Sequence, residues 1–569
     1  MKKIFLLLIF TINMVLNGQA IITDPQFPVE DQAVKITFNI AEMSNTSLLG
    51  YNGTLYAHTG VYTNLSPNSW KNVIGDWGDN SVQPSLTQVG TDIYELFIEN
   101  PRTFYGITNS NEHITSINIV LRSSDKTKQT EDLFIEIFAE GLNVRFVQPE
   151  VLPVYPLEGE EIKITAVSGG ADTLSLFYND ELLASSTSDT IITSIVTSGT
   201  GRQWIKYIAI GTDQTLIDST YIFVREDLVI EELPAGIETG INYIDESTAI
   251  LAFFAPNKQF TYLIGDFNNW EFDPDTSLSW EFDSNYYLKL TPDSTTYWTT
   301  LMGLVPEQEY RYQFLVDGVL RIADPYADKI LEEEDKFISE DTYPNLIPYP
   351  EGKTRFSVSV LETGQDNFQW GANDYIRPDK ENLMVYELLV RDFIQAHDYK
   401  TLIDTLDYLE NLGINAIELM PINEFEGNES WGYNPSFYFA PDKYYGPKDD
   451  LKRFIDECHK RDIAVILDIV LNHSFGRSSF VRLYSSGDFG PPTNENPWYN
   501  VTSPNPVFSW GYDFNHESQH TKELIDRINK YWLEEYKFDG FRFDFTKGFT
   551  NIPGDGGGFD QSRIDILKR

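Results

Sequence analysis

Cysteine is nearly missing from this 569-residue chain: Cys458 stands alone, so no disulfide can close within it. No cysteine near the N-terminus is there to take a lipid anchor, and stability must come from packed cores, which this length allows. Positive charge is scarce too. With 42 Lys+Arg against 86 Asp+Glu, the formal net charge is −44. Such a surface repels nucleic acid and anionic membrane but accepts a neutral substrate or a bound cation such as calcium; it also serves plain solubility. Apolar runs are short. The longest, Ile4 to Leu16, follows Lys2 and Lys3 and precedes the small residues Gly18 and Ala20, which is the form of a secretory signal cut after Ala20. It is too short for a comfortable bilayer span. The expectation is a secreted protein, periplasmic, cell-surface or extracellular, with no membrane span and no nucleic-acid partner.

Aromatic residues are abundant, at 14% of the chain. Flat rings with a polar edge suit sugar faces, and cores use them equally. From Ile21 to Glu226 short alternating runs, such as Val34 to Ile40 and Glu161 to Val167, are separated by Gly, Asn, Asp and Ser, which predicts two β-sandwich domains, 21–145 and 146–226. Trp70, Trp77 and Tyr51 lie among turn residues of the first; exposed, they would suit a glycan, and buried, they would fill a sandwich core.

A third β module spans 227–354, built on Phe260 to Trp270, Tyr310 to Gly318 and Ala323-Asp324-Pro325-Tyr326-Ala327. These stretches resemble carbohydrate-binding module family 48, which precedes the catalytic barrel in starch-branching and debranching enzymes. The resemblance puts Trp270 and Trp298 forward as glucan contacts, or makes the module a brace for a catalytic barrel.

A charged, turn-rich linker, 355–383, leads into alternating strand and helix patterns over 384–569. Strands are predicted at Met384 to Val390, Asn415 to Pro421, Ile463 to Leu471 and Gly540 to Lys547. Leu451, Phe454, Ile455 and Cys458 mark one face of an intervening helix, making Cys458 a packed residue. Leu524, Ile525, Ile528 and Trp532 mark another helix. Repeated β-then-α units predict a parallel sheet wrapped by helices, with a (β/α)8 TIM barrel the leading candidate. The expected fold is thus multidomain: three all-β sandwich domains, then a barrel of which about the first half is present.

Strand periodicity puts Gly540, Arg542 and Asp544 on one face and Phe541, Phe543 and Phe545 on the other. A cation beside a carboxylate at the end of a barrel strand is an active-site pattern; a structural ion pair has the same appearance. With Asp468-Ile469-Val470-Leu471-Asn472-His473 ending the third strand and Gly432-Tyr433-Asn434-Pro435 before it, these motifs resemble glycoside hydrolase family 13, the α-amylase family, from about Met384 onward.

That resemblance implies retaining hydrolysis of α-glucosidic bonds in starch- or glycogen-type glucans. Asp544 matches the nucleophile. Arg542 would keep it ionised and oriented, and Asp468 would support Arg542. His473 would bond the sugar beside the scissile linkage, Tyr433 would stack beneath it, and Lys547 would serve the leaving-group side. The histidine that follows this lysine in many α-amylases is Gly548 here. Asn472 and Asp513 match calcium-binding positions. The family's acid–base glutamate belongs to a fifth strand and a further aspartate to a seventh. The chain stops at Arg569, so a fragment of a longer enzyme is expected, with little hydrolysis of its own. The alternative is a non-catalytic α-glucan-binding surface protein.

Overall fold

The computed structural model describes residues 20–569 apart from 44, 150–152 and 271–283; the signal-like segment therefore lies almost wholly outside the described residues. No helix among those described is long and apolar enough to cross a membrane. The chain divides into two compact units that meet in sequence at Arg225 and Glu226.

The N-terminal unit is built from antiparallel sheets. One has its strands in the order Ile21–Asp24, Val34–Asn39, Ile93–Ile98 and Thr87–Gly90; another is centred on Leu55–Thr63 and Ile114–Ser123. Alternation drives both. In Val34–Asn39, Val34, Ile36 and Phe38 are buried while Lys35 and Thr37 are not, so one face joins a core with Leu55, Ala57 and Ile119. A second core, with Ile164, Leu174, Ile205 and Ile222, belongs to the next sheets along the chain.

The C-terminal unit begins with more antiparallel sheet. Glu309–Val316 pairs with Thr261–Gly265 on one side and with Val358–Glu362 on the other. That last strand lies in the stretch predicted as linker, because Val358 to Leu361 alternates too briefly to stand out but is buried against the module. Trp270 and Trp298 are 2% and 3% exposed. Neither ring offers a face to a ligand, so of the two readings of this module the burial favours the brace over glucan contact by these rings.

Four strands then form an all-parallel sheet in sequence order: Val385–Leu388, Ala416–Leu419, Ala464–Ile469 and Gly540–Phe543. Helix Lys448–His459 buries Leu451, Phe454, Ile455 and Cys458 as the spacing predicts, and Asp449 and Asp450 in its first turn suit the positive end of the helix dipole. Helix Gln519–Glu535 buries Leu524, Ile528 and Trp532. One continuous core runs from Leu251, Phe253 and Phe314 of the module to Leu419, Leu467 and Trp532 of this sheet and its helices.

Polar contacts close the same seam. Lys443 is 3% exposed and bonds Glu424, with Asp335 of the module 3.4 Å away. Arg477 bridges to Glu332 and Glu334, and the Ser479 hydroxyl donates to the Ala323 carbonyl at 2.7 Å.

The run Gly432 to Pro441 is mostly strand. Pro435–Pro441 is buried throughout and pairs with Asn423–Phe425. Its two prolines disguise it because each removes a ladder donor, and they sit at its two ends, where the cost is least.

Candidate active site

Parallel pairing sets Asp468 and Arg542 directly opposite one another on the third and fourth strands. Side chains at matched positions share a face, so the guanidinium needs no long reach. Arg542 Nη1 donates to Asp468 Oδ1 and Oδ2 at 3.0 and 3.1 Å, and to Asp544 Oδ1 at 2.7 Å. The Asp544 amide donates to the Ile469 carbonyl at 3.0 Å, carrying the ladder one residue past the strand end. Asp544 is thus fixed at both backbone and carboxylate.

Electrostatics depend on depth. Asp468 is fully buried, and burial pushes its carboxyl up to about 6 while the Tyr433 hydroxyl and Arg542 oppose the rise. Burial works against the Arg542 charge, but Asp468 and Asp544 outweigh it and hold the guanidinium above its ordinary value. The geometry serves the ionised pair: the Asp468 carboxylate accepts from Arg542 and, at 2.7 Å, from the Tyr433 hydroxyl.

Tyr433 therefore enters the site through its hydroxyl. It is only half-buried and keeps part of its ring free. His473 differs from expectation. At 2% exposure, its Nε2–H donates to the Tyr433 carbonyl at 3.0 Å and its Nδ1 faces the Asn472 amide at 3.2 Å. Both ring nitrogens are engaged, so the imidazole fixes the backbone of Tyr433 and turns no free nitrogen outward. Burial lowers its pKa, keeping it neutral. Lys547 lies exposed on the short helical turn Thr546–Gly548 just beyond Asp544.

Phe545 leaves the alternation expected of it. Its φ of +46° turns the chain out of the strand immediately after Asp544, and its ring packs edge-on against Phe508 and Trp510. A phenylalanine in left-handed backbone costs of order 1–3 kcal/mol and is found where surrounding structure fixes it, commonly beside functional groups.

Two carboxylates at this site escaped the sequence reading. Glu418, on the second strand, approaches Arg542 Nε at 4.0 Å, and ligand atoms of Glu387, Glu418 and Asp468 lie within 4.8 Å of one another. Burial and Glu387 raise the Glu418 pKa. Each occupies an alternate position in a short apolar strand, and that was the available signal.

For calcium the test is the donor set. Because Asn472 turns its amide nitrogen to His473, its Oδ1 faces away, buried and without a hydrogen-bond partner. A Cβ on Gly548 would fall 1.6 Å from that oxygen, so this asparagine orientation requires glycine there. Asp513 pairs with His473 across an antiparallel bridge, and burial pushes its carboxyl up to about 6, with the Asn500 amide donating at 2.8 Å. An orphaned buried oxygen and a poorly solvated carboxylate on paired segments are the kind of oxygen donors a hard cation takes.

The sheet thus presents one carboxylate at its carboxyl rim, held by an arginine that a buried aspartate anchors, and the carboxyl rim is where βα folds place their active sites. Residues 366–511 match the family model described as alpha amylase, catalytic domain, so over that stretch the chain is similar to glycoside hydrolase family 13. The malto-oligosyltrehalose trehalohydrolase of Saccharolobus solfataricus is 30% identical over 237 residues, which cover 41% of this chain and 38% of that protein. The 1,4-alpha-glucan branching enzyme GlgB of Oleidesulfovibrio alaskensis is 30% identical over 322 residues, covering 52% and 42%. A solved pullulanase from Paenibacillus barengoltzii aligns with a TM-score of 0.41 at 20% identity, covering 55% of this chain and 50% of that one. The chain spans less than half the length of either curated relative.

Proposed function

We propose that the protein is an exported glycoside hydrolase that cleaves α-glucosidic bonds in starch- or glycogen-type glucans with retention of configuration. The observation that carries this reading is the Asp544 carboxylate, held on one oxygen by Arg542 at 2.7 Å at the end of the fourth parallel strand. A carboxylate held in one orientation at the rim of the sheet is what attack on an anomeric carbon requires. Asp544 Oδ2 attacks C1, the glycosidic C–O bond breaks, and its electron pair leaves on the departing oxygen, which takes a proton. Water then attacks C1 from the face the leaving group vacated, releasing Asp544 and losing its own proton, so two inversions give net retention. Among the described residues we assign no group to the proton transfers.

In this reading the sheet is the start of a (β/α)8 barrel, and the module before it, akin to carbohydrate-binding module family 48, braces that barrel; the buried Trp270 and Trp298 support bracing. The Tyr433 ring lies under the bound sugar and Lys547 on the leaving-group side. Asn472 Oδ1 and the Asp513 carboxylate would hold calcium, which when bound neutralises Asp513 and ties together the segments that carry His473 and Phe514. The test is the anomer released from α-maltosyl fluoride, whose leaving group departs without a proton donor, followed by proton NMR. New reducing ends should appear as the α anomer and vanish in Asp544→Asn. Release as the β anomer, unchanged turnover in Asp544→Asn, or no release of fluoride would contradict the proposal.

A further inference from the structure

On the strand Leu55–Thr63, Leu55, Ala57 and Val61 fill the first sandwich core while Tyr56 and His58 point the other way. That outer face is not bare. Trp70, on the neighbouring strand, stacks near the His58 ring at 5.9 Å and 20°, and Trp77, from the segment beyond, meets it edge-on at 4.8 Å. Gly60 allows the approach: a Cβ there would lie 3.0 Å from the Lys71 carbonyl and 3.4 Å from Trp70 Cε3. Trp77 remains 53% exposed.

Beneath the rings lies a charge that core packing does not require. Arg122 is paired in register with Tyr56, sits over its ring at 5.5 Å and is 1% exposed. A guanidinium can only donate, so Gln83 must turn Oε1 toward it; Nε donates at 2.9 Å and Nη2 bonds the same oxygen. The Gln83 amide nitrogen then has two hydrogens to place. One goes to the Asp76 carbonyl at 2.8 Å and the other to His58 Nδ1 at 2.8 Å. The imidazole proton is therefore on Nε2, and burial together with Arg122 lowers the His58 pKa, so the ring stays neutral. Four side chains cooperate to fix one tautomer between two indoles.

We propose that this platform binds a neutral glucan chain, with Trp77 stacking on a pyranose face and His58 Nε2–H donating to a sugar hydroxyl. An uncharged donor beside exposed aromatic surface matches a polyol whose C–H faces are apolar and whose rim is hydroxyl. Anions would be repelled by the chain as a whole, which carries −44. The choice of an α-linked glucan rests on the function proposed for the C-terminal unit.

The experiment is hydroxyl-radical footprinting of the full chain with and without maltoheptaose, read at the Trp77 peptide by mass spectrometry, together with retardation in native gels containing glycogen. Trp77 oxidation should fall several-fold with ligand, in Asp544→Asn as in wild type. Trp77→Ala should weaken retardation about tenfold or more, as truncating a central aromatic contact does, with Trp77→Phe restoring part; His58→Ala should weaken it while near-UV circular dichroism is kept. Retardation should stay flat between pH 6 and 8. Equal Trp77 oxidation with and without maltoheptaose, or equal retardation of Trp77→Ala and wild type, overturns the proposal. Because the Trp77 footprint is read in Asp544→Asn as well as in wild type, failure here and failure of the hydrolase reading are separate results.

Discussion

Arg542 and Asp468 face each other across two parallel strands, and a single guanidinium nitrogen spans from both Asp468 oxygens to Asp544. Orientation of Asp544 is thus inherited from a buried neighbour. Replacing Arg542 by Lys keeps a charge but moves the donor nitrogen away from the Nη1 position between Asp468 and Asp544, and should lower kcat on α-maltosyl fluoride by about a hundredfold or more while KM changes little, on the scale of a misplaced reacting group. Steady-state kinetics of Arg542→Lys check this; an unchanged kcat would show that Asp544 does not depend on it.

Tyr433→Phe should act through Asp468. It removes a hydrogen bond to a buried carboxylate, worth about 1.5–3 kcal/mol, and leaves the aromatic ring in place. Chemical denaturation should register a loss of that order, and the pH at which activity falls on acidification should move upward because the protonated Asp468 gains. No shift in either quantity would separate Tyr433 from the anchor.

Lys443 carries the seam between module and parallel sheet. At 3% exposure it is the cation among Glu424, Asp442 and Asp335, and its neighbours push its pKa up despite burial. Lys443→Met strands buried carboxylates and should cost about 3–5 kcal/mol. A drop in the melting temperature of the C-terminal unit, with its transition broadened or split, is the expected readout.

Asp324 gives a stability signature of opposite sign to ordinary acid denaturation. It is 1% exposed, and burial raises its carboxyl from 3.8 to about 6. The folded state therefore binds more protons than the unfolded state between those values, so its contribution to stability falls as pH rises through the window and recovers on acidification. Asp324→Asn keeps an acceptor for the Tyr326 amide, 2.9 Å from Asp324 Oδ1. Between pH 7.5 and 5 the variant should lose the gain in melting temperature that wild type makes at this position; identical pH profiles would contradict it.

Calcium offers a simpler reading. Added at about a hundred times its dissociation constant, it should stabilise the protein by about 2.7 kcal/mol, and Asn472→Ala or Asp513→Ala should abolish the shift in melting temperature. A wild-type melt that ignores both calcium and chelator removes the ion from the account.

Much of the site was legible because its parts are local. Arg542 and Asp544 declare themselves by alternation within five residues, and Asp468 by ending a strand of Ile, Val and Leu. What the sequence hides is the partner of each group. Nothing local links Tyr433 to Asp468, 35 residues apart, or turns both nitrogens of His473 inward. Phe545 looks like a continuing strand residue until the backbone reverses at it. The Gln83 amide that fixes His58 is 25 residues distant and belongs to a turn-rich segment with no periodicity of its own. Long-range polar pairing of this kind depends on which loops fold back, and pattern does not encode it.

The most direct test of Asp544 as nucleophile is covalent trapping. A 5-fluoro glycosyl fluoride has a leaving group that departs without a proton donor and forms a slowly hydrolysed glycosyl-enzyme, so peptide mapping after incubation locates the attacking oxygen. One added glycosyl group on the peptide containing Asp544, lost in Asp544→Asn, is the predicted result. An unlabelled protein, or a label on any other carboxylate, would contradict the account.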